Sequence, residues 1–488
     1  MKKYMAICLM LAMMLALCAC GSSRSDAPKG TDGAAAIEAP VAKDGLMVGY
    51  ARLDITPKIS VPLAGYGNTS MRMSNGYQTY LYTTCIAYSD GEDTILVFQN
   101  DLSGANKKLV SDVRTQIESK LNIPGDHVMI SGTHTHSAPD MGSAEPSIAQ
   151  YRQELIKTML KAAEQALEDR KPVNGMYHGS TEVEGLNFIR HYTTTDPNVF
   201  KGDNLNTLDP HPVTGHLSEP DNIMQVVRID REGGDDLVLI NWQSHPHRGG
   251  GSKNYNITAD IVGVMRDYVE KEVDGVLFAY YTGASGNLNP KSYIPELNIT
   301  KDYWEQGDAL GTYAVKVLNG EMTKLEGTNV QITGQFYSGE VNHTEDHLVN
   351  VAKIVQEEWK TNNDFTAACA LANSYGLNSP YHAGAVISRA NLGRTYDVEM
   401  YAFSVGDLSF VTAPYEMFDK QGVTIKEGSP FAATFVITCA NDGIGYIPDR
   451  QGFEINCYEA NNGKFLPGMG ETLADEYVKM LEGLYATK

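Results

Sequence analysis

The sequence predicts an α/β fold, with mixed parallel and antiparallel sheets flanked by helices in a single large domain. Three observations predict it. Short apolar runs of strand character alternate with segments of helical apolar spacing along the body of the chain, the pattern of strands joined by helices. Two of the runs, IMQVVRID and DLVLINW, flank the turn Arg231-Glu-Gly-Gly-Asp-Asp236, which marks an antiparallel hairpin within that pattern. No internal repeat and no low-complexity run follows residue 45, and helices and mixed strands continue throughout, which suggests one α/β body.

The first residues read as a processing signal outside that fold. Lys2 and Lys3 precede a wholly apolar stretch from Met5 to Ala19, which stops at Cys20-Gly-Ser-Ser. This is the layout of a bacterial export peptide. Its end, Leu17-Cys18-Ala19-Cys20, resembles a lipobox, which implies cleavage before Cys20 and acylation of that cysteine. Two or more acyl chains give stable anchoring where one is marginal. Residues 1–20 are therefore expected to be a lipoprotein signal peptide. Residues 21–45, poor in large apolar side chains, are expected to be a disordered tether, and residues 46–488 the folded body. The expected location is the bacterial cell envelope, on the extracytoplasmic side of a membrane.

Within the body, DTILVFQ (Asp93–Gln99) reads as a strand. Residues 106–121 read as a helix, with Leu109, Val110, Val113, Ile117 and Leu121 on one face; Pro124-Gly125 then breaks the chain before the strand HVMI. A longer amphipathic helix spans 147–169, with Ile148, Tyr151, Leu155, Met159 and Leu160 at helical spacing. After the hairpin come a helix at 259–273 and the strand GVLFAYY. The last third continues the alternation, with a helix at 345–360, strands MYAFSV, LSFVTAP and ATFVITCA, and a closing helix at 471–484.

Composition narrows the function. Losing Lys2 and Lys3 with the leader leaves 37 basic against 60 acidic side chains, a balance of −23. With no basic stretch, this argues against nucleic acid and against gripping anionic headgroups. Cys85, Cys369, Cys439 and Cys457 are widely spaced and form no CxxC pair, so neither a cysteine zinc site nor a redox motif is signalled.

Chemistry concentrates where strands stop, which is where open α/β sheets hold ligands. SGTHTHSAPD follows HVMI and carries His134 and His136. On an extended segment these would face the same side, either filling polar space at a sheet edge or holding something that needs imidazole. LINWQSHPH ends a second strand with His245 and His247; two such pairs point towards a metal, since imidazole is a common zinc ligand. FVTAPYE delivers Glu416 at the expected start of a helix, and NDGIGYIP brings Tyr446 after ATFVITCA. Gly283 and Gly286 in YTGASGNLNP would let backbone approach a ligand closely.

Taken in order, these motifs resemble the catalytic domain of the neutral/alkaline non-lysosomal ceramidase family, over nearly the whole body. The resemblance begins with VGYARLDITP and LAGYG, and is most specific at SGTHTHSAPD. It continues through LNFIRHY, NWQSHP, APYE and the closing stretch from NDGIGYIP through CYEA to GMGETL. It implies that His134, His245, Glu416 and Tyr446 hold one zinc ion, and that His136 and Arg190 handle the substrate and its developing negative charge. Where the family carries an active-site serine, this chain has Asn289 in GNLNPK. An amide cannot accept an acyl group but can donate a hydrogen bond to an oxyanion. The chain also ends soon after the closing motif, so the immunoglobulin-like domain of that family is not expected.

The resulting expectation is a membrane-anchored, zinc-dependent hydrolase of a non-peptide amide bond, working through zinc-activated water. His136, Arg190 and Asn289 would line the carbonyl of a small-molecule or N-acyl lipid substrate such as ceramide. The alternative is a lipid-anchored metal- or ligand-binding protein that has lost turnover.

Overall fold

Alternation of apolar residues along each strand decides which core each side chain enters. In the strand Asp236–Trp242, Leu237 and Leu239 enter one core while Val238, Ile240 and Trp242 enter another. In Val128–Gly132, Met129 faces the first of these cores, and Val128 and Ile130 face a third. The strands are therefore covered on both faces, as a continuous apolar run requires.

The computed structural model describes residues 45–66, 72–202, 211–251 and 253–488. The expected leader, nearly all of the expected tether and the expected acylation site Cys20 lie outside the described residues. Among the described residues, nine strands form the main sheet. Its order is Val276–Thr282, Asp236–Trp242, Ile223–Arg231, Lys171–Glu182, Met47–Asp54, Tyr82–Ser89, Thr94–Asn100 and Val128–Gly132, with Thr323–Leu325 added on Lys171–Glu182. Neighbours are antiparallel in the middle of this order. At each edge the last pair is parallel: Asp236–Trp242 with Val276–Thr282, and Thr94–Asn100 with Val128–Gly132. Each parallel pair is joined through a helix, Asp260–Glu272 and Lys107–Leu121 respectively, because parallel neighbours need a crossover.

A second sheet runs Val330–Glu340, Thr395–Val405, Leu408–Thr412 and Ala433–Ile437. Phe403, Phe410 and Phe435 from it pack against Val48, Ile86, Leu239 and Tyr281 of the main sheet. Phe403 and Phe410 stack at 4.4 Å between ring centroids. Helices Lys107–Leu121 and Pro146–Glu168 cover one half of the main sheet's other face; Asp260–Glu272 and Tyr303–Leu318 cover the other half. Asp419–Gly428 and Met469–Ala486 cover the outer face of the second sheet. The result is four layers, helix–sheet–sheet–helix, matching the predicted α/β class with mixed sheets.

The main sheet curls until its two edges meet. Thr282, ending one edge strand, donates from Oγ1 to the carbonyls of Gly132 (3.3 Å) and Thr133 (2.9 Å) beyond the other edge. The second sheet closes on the same end: Thr438 N donates to Thr282 O (2.9 Å), and Ala440 bridges Ser131. This closure brings together strand ends that are remote in the sheet order.

Local signals explain what the sequence showed and missed. Asn106 caps the first helix, accepting from the amides of Lys108 and Leu109, and Asn122 ends it in the left-handed region before Pro124. The helix Tyr303–Leu318 was not expected, because Gly307 and Gly311 weaken its pattern. Those glycines let it lie against Asp260–Glu272: a Cβ at 307 would come within 2.4 Å of the Val264 side chain, and one at 311 within 2.5 Å of Tyr268. Helices Phe365–Ser374 and Pro380–Ala390 were also unexpected. With Val349–Asn362 they form a small helical unit with its own core, inserted between two strands of the second sheet. Among the described residues, Cys85, Cys369, Cys439 and Cys457 are all buried. No described helix is long and apolar enough to cross a membrane.

Candidate metal centre

Two histidines and a carboxylate converge where the strands end. His245 Nε2 lies 3.1 Å and His134 Nε2 lies 3.3 Å from the same oxygen, Glu416 Oε2. His136 Nε2 is 3.4 Å from His134 Nε2. The ring centroids of His134 and His245 are 4.7 Å apart. Three of the residues singled out from sequence, His134, His136 and His245, are close enough for each to give one nitrogen to a common ion.

The backbone sets the direction of the imidazoles. His134 Nδ1 donates to Ser103 O at 2.5 Å, and His245 Nδ1 donates to Leu288 O at 2.9 Å. A neutral ring that donates from Nδ1 presents a lone pair at Nε2. Burial lowers His134, but Cys439 and Glu416 more than reverse this and hold it well above its ordinary value, so its protonated Nε2 donates to Glu416 until a cation takes the proton's place. Donation of the outer nitrogen to a carbonyl is how proteins orient metal-binding imidazoles. The separations agree: for metal–ligand bonds of ~2.0–2.1 Å, a tetrahedron has edges of ~3.3–3.4 Å. The donor set therefore fits a zinc-type cation, with His134, His245 and Glu416 at its centre.

Tyr446 reaches the same place by strand pairing. Glu416–Met417 and Tyr446–Ile447 form a two-residue parallel pair, with Glu416 opposite Tyr446. Glu416 was expected at the start of a helix; it lies instead on this short strand, and the helix begins at Asp419. The backbone of Gly286 fits beneath: its amide donates to Met417 O at 2.7 Å, and a Cβ there would lie 2.6 Å from Glu416 O.

His134 and His136 do not lie on an extended segment, as the sequence suggested. The strand ends at Gly132, and His134 takes a left-handed conformation with φ 69°. Such a conformation costs ~1–3 kcal/mol for a residue other than glycine. It is held by His134 N donating to Leu102 O (2.9 Å) and by the Ser103 contact. The two rings meet edge to face rather than side by side, since the turn, not strand alternation, aims them.

Electrostatics follow from burial. Burial, with the Arg190 charge adding to it, lowers His245 to about 4. Burial and neighbouring His134 hold His136 well below its ordinary value. Burial pushes Glu416 upward, but His134 and His245 more than reverse this and hold it well below the usual carboxylate range. His136 Nδ1 is buried with no partner among the described residues, so hydrogen bonding there does not fix its tautomer.

The other expected residues sit around this centre. Arg190 is buried; Nη2 donates to Gly286 O at 2.7 Å, and the guanidinium lies 5.3 Å over the Tyr446 ring. Asn289 pairs with Phe188 in a short antiparallel bridge, and its Oδ1 meets His247 Nε2 at 3.1 Å. Three neighbours had no assigned role from sequence. His247 was visible as the second member of HPH, whereas Glu459, which holds Arg190 (2.5 Å), and Cys439, whose Sγ is 3.4 Å from His134 Nδ1, gave no local signal.

No family model matches the chain. Among solved structures, the neutral ceramidase from Pseudomonas aeruginosa superposes with a TM-score of 0.67 at 15% identity, covering 90% of this chain and 74% of that one. A ceramidase complexed with C2 superposes with a TM-score of 0.66 at 16% identity, covering 91% of this chain and 76% of that one. At such identities the likeness is one of fold, and the chain carries a ceramidase-like α/β fold.

Proposed function

We propose that this protein is a zinc-dependent hydrolase of a non-peptide amide bond, acting on an N-acyl compound such as a ceramide-like lipid. The observation that carries the reading is the convergence of the His134 and His245 nitrogens on one oxygen of Glu416. These three residues would hold the ion, with Tyr446 beside them. Zinc at such a site supplies a polarised carbonyl and a water of lowered pKa near neutrality. The ceramidase neighbours supply the substrate class by fold analogy alone.

The chain's own residues then divide the work. His136, with an unfixed tautomer and Nε2 facing the donor cluster, can take a proton at that nitrogen and return it to a departing amine. Arg190 and the Asn289 amide stabilise negative charge on the carbonyl oxygen. Asn289 Oδ1 engages His247 Nε2, which leaves the amide NH2 to donate. Because Asn289 has no nucleophilic hydroxyl, no acyl–serine step occurs at that position. Acylation of Cys20 would hold the body at the extracytoplasmic face of a membrane.

The test is stoichiometric zinc in the purified body, lost in His245→Ala, together with chelator-sensitive release of amine from short N-acyl amides. Absence of bound zinc in the parent would overturn the proposal. One observation favours a second reading, a metal-holding binder without turnover: the serine position is an asparagine already engaged by His247. Stoichiometric zinc without chelator-sensitive turnover on an N-acyl panel would select it.

A further inference from the structure

Glu459 is a buried carboxylate, 1% exposed, on the short helix Tyr458–Asn462. Its two oxygens have different partners: Oε1 accepts from Arg190 Nε at 2.5 Å, and Oε2 meets His191 Nε2 at 2.9 Å. The neighbouring residue Tyr458 lies against the same guanidinium at 5.9 Å, and Tyr446 lies against it at 5.3 Å. With Nη2 donating to Gly286 O, the group is held at two of its nitrogens and bounded by two rings.

His191, Cys457 and Glu459 are close enough together to suggest a second metal site. That reading fails, because both Glu459 oxygens are occupied and a guanidinium cation sits in contact with one of them.

We propose that Glu459 is the positioning residue for Arg190, fixing the guanidinium beside the metal centre and keeping it off Glu416. This rests on the hydrolase reading given above. The reason is electrostatic: a buried arginine without its counter-charge turns to whatever carboxylate is within reach. Here that is Glu416, whose strand partner Tyr446 lies under the guanidinium and whose backbone packs against Gly286, the other acceptor of Arg190. Anchoring at Nε by one carboxylate leaves the other, Glu416, free to serve the cation.

The test begins on the unsubstituted protein. In ¹⁵N spectra of the arginine Nε–H groups, the Arg190 resonance is assigned by its absence in Arg190→Gln. It should exchange with solvent ~100-fold more slowly than the surface arginines. Glu459→Gln should cut kcat by ~100-fold with a smaller change in KM, weaken zinc binding, and be partly restored by Glu459→Asp. In the Arg190→Gln background, Glu459→Gln should change neither kcat nor zinc affinity by more than about twofold.

Surface-like exchange of the Arg190 Nε–H overturns the proposal, as does an equal loss from Glu459→Gln in both backgrounds. Should Glu459→Gln not fold, the exchange measurement on the parent decides alone. Failure of the hydrolase reading would show separately, as no turnover by the parent, while the exchange measurement still answers the question about Glu459.

Discussion

Substituting Glu416 by glutamine isolates the claim that this carboxylate holds a cation, since the amide keeps the side chain's length and volume. Zinc at 1,000 times its dissociation constant stabilises a protein that binds it only when folded by ~4.1 kcal/mol. For the compact unit Ala39–Lys488, an unfolding entropy of ~2.1 cal/mol/K per residue gives ~0.9 kcal/mol/K, so the parent's melting temperature should rise by ~4–5 °C. Loss of a hydrogen-bonded partner of a metal ligand weakens metal binding by ~10–100-fold. Loss of a charged donor lying 3.1 and 3.3 Å from two imidazole nitrogens should cost at least the upper end of that range. At the same zinc concentration Glu416→Gln would then retain ~1.4 kcal/mol, a shift of ~1.5 °C. Thermal melts of chelator-treated protein, with and without added zinc, measure both shifts. Equal shifts in parent and variant, or none in the parent, would refute the assignment of Glu416 as a ligand.

Three further predictions use other parts of the site. Asn289→Ala should lower kcat by ~10²–10³-fold with KM little changed; an unchanged kcat in steady-state assays would remove Asn289 from the reacting carbonyl. Burial lowers His245 to about 4 and His247 to about 3, whereas unfolded histidines titrate near ~6.5. The unfolded chain therefore binds more protons below that pH, so this stability is full above ~6.5 and is lost as pH falls towards 4, by up to ~2.7 kcal/mol per pH unit. Denaturant midpoints of chelated protein at pH 7 and pH 5.5 test it, and a midpoint that does not fall would contradict the buried neutral rings. Gly286→Ala should weaken zinc binding although residue 286 is no ligand, because its Cβ would lie 2.6 Å from Glu416 O. Calorimetric titration with parent-like affinity would show that this backbone contact does not position Glu416.

Much of the fold was legible because it is built from local signals. The helix from residue 107 announces itself by four buried residues at helical spacing and an asparagine cap; the hairpin Ile223–Arg231/Asp236–Trp242 by its turn. The signal failed where contact rather than pattern decides. Lys171–Glu182 is a long strand with a largely polar sequence, KPVNGMYHGSTE, kept in the sheet by partners on both sides. Tyr303–Leu318 is a helix whose glycines serve a neighbour rather than the helix itself. Within the site, histidine pairs after apolar strands were visible, whereas Glu459 was one carboxylate among sixty acidic residues.

The sequence by itself determined the inventory: which strands end in imidazole, carboxylate or tyrosine, and that position 289 carries an amide. Only the tertiary structure decided that His134 and His245, which follow strands near opposite edges of one sheet, share a carboxylate oxygen. The physical reason is curvature. Strand twist accumulates across the sheet until Thr282 at one edge donates to Thr133 beyond the other, and the second sheet then delivers Glu416 and Tyr446 into the closed end. Twist summed over many strands is a property of the assembled sheet, and no single segment of the chain encodes it.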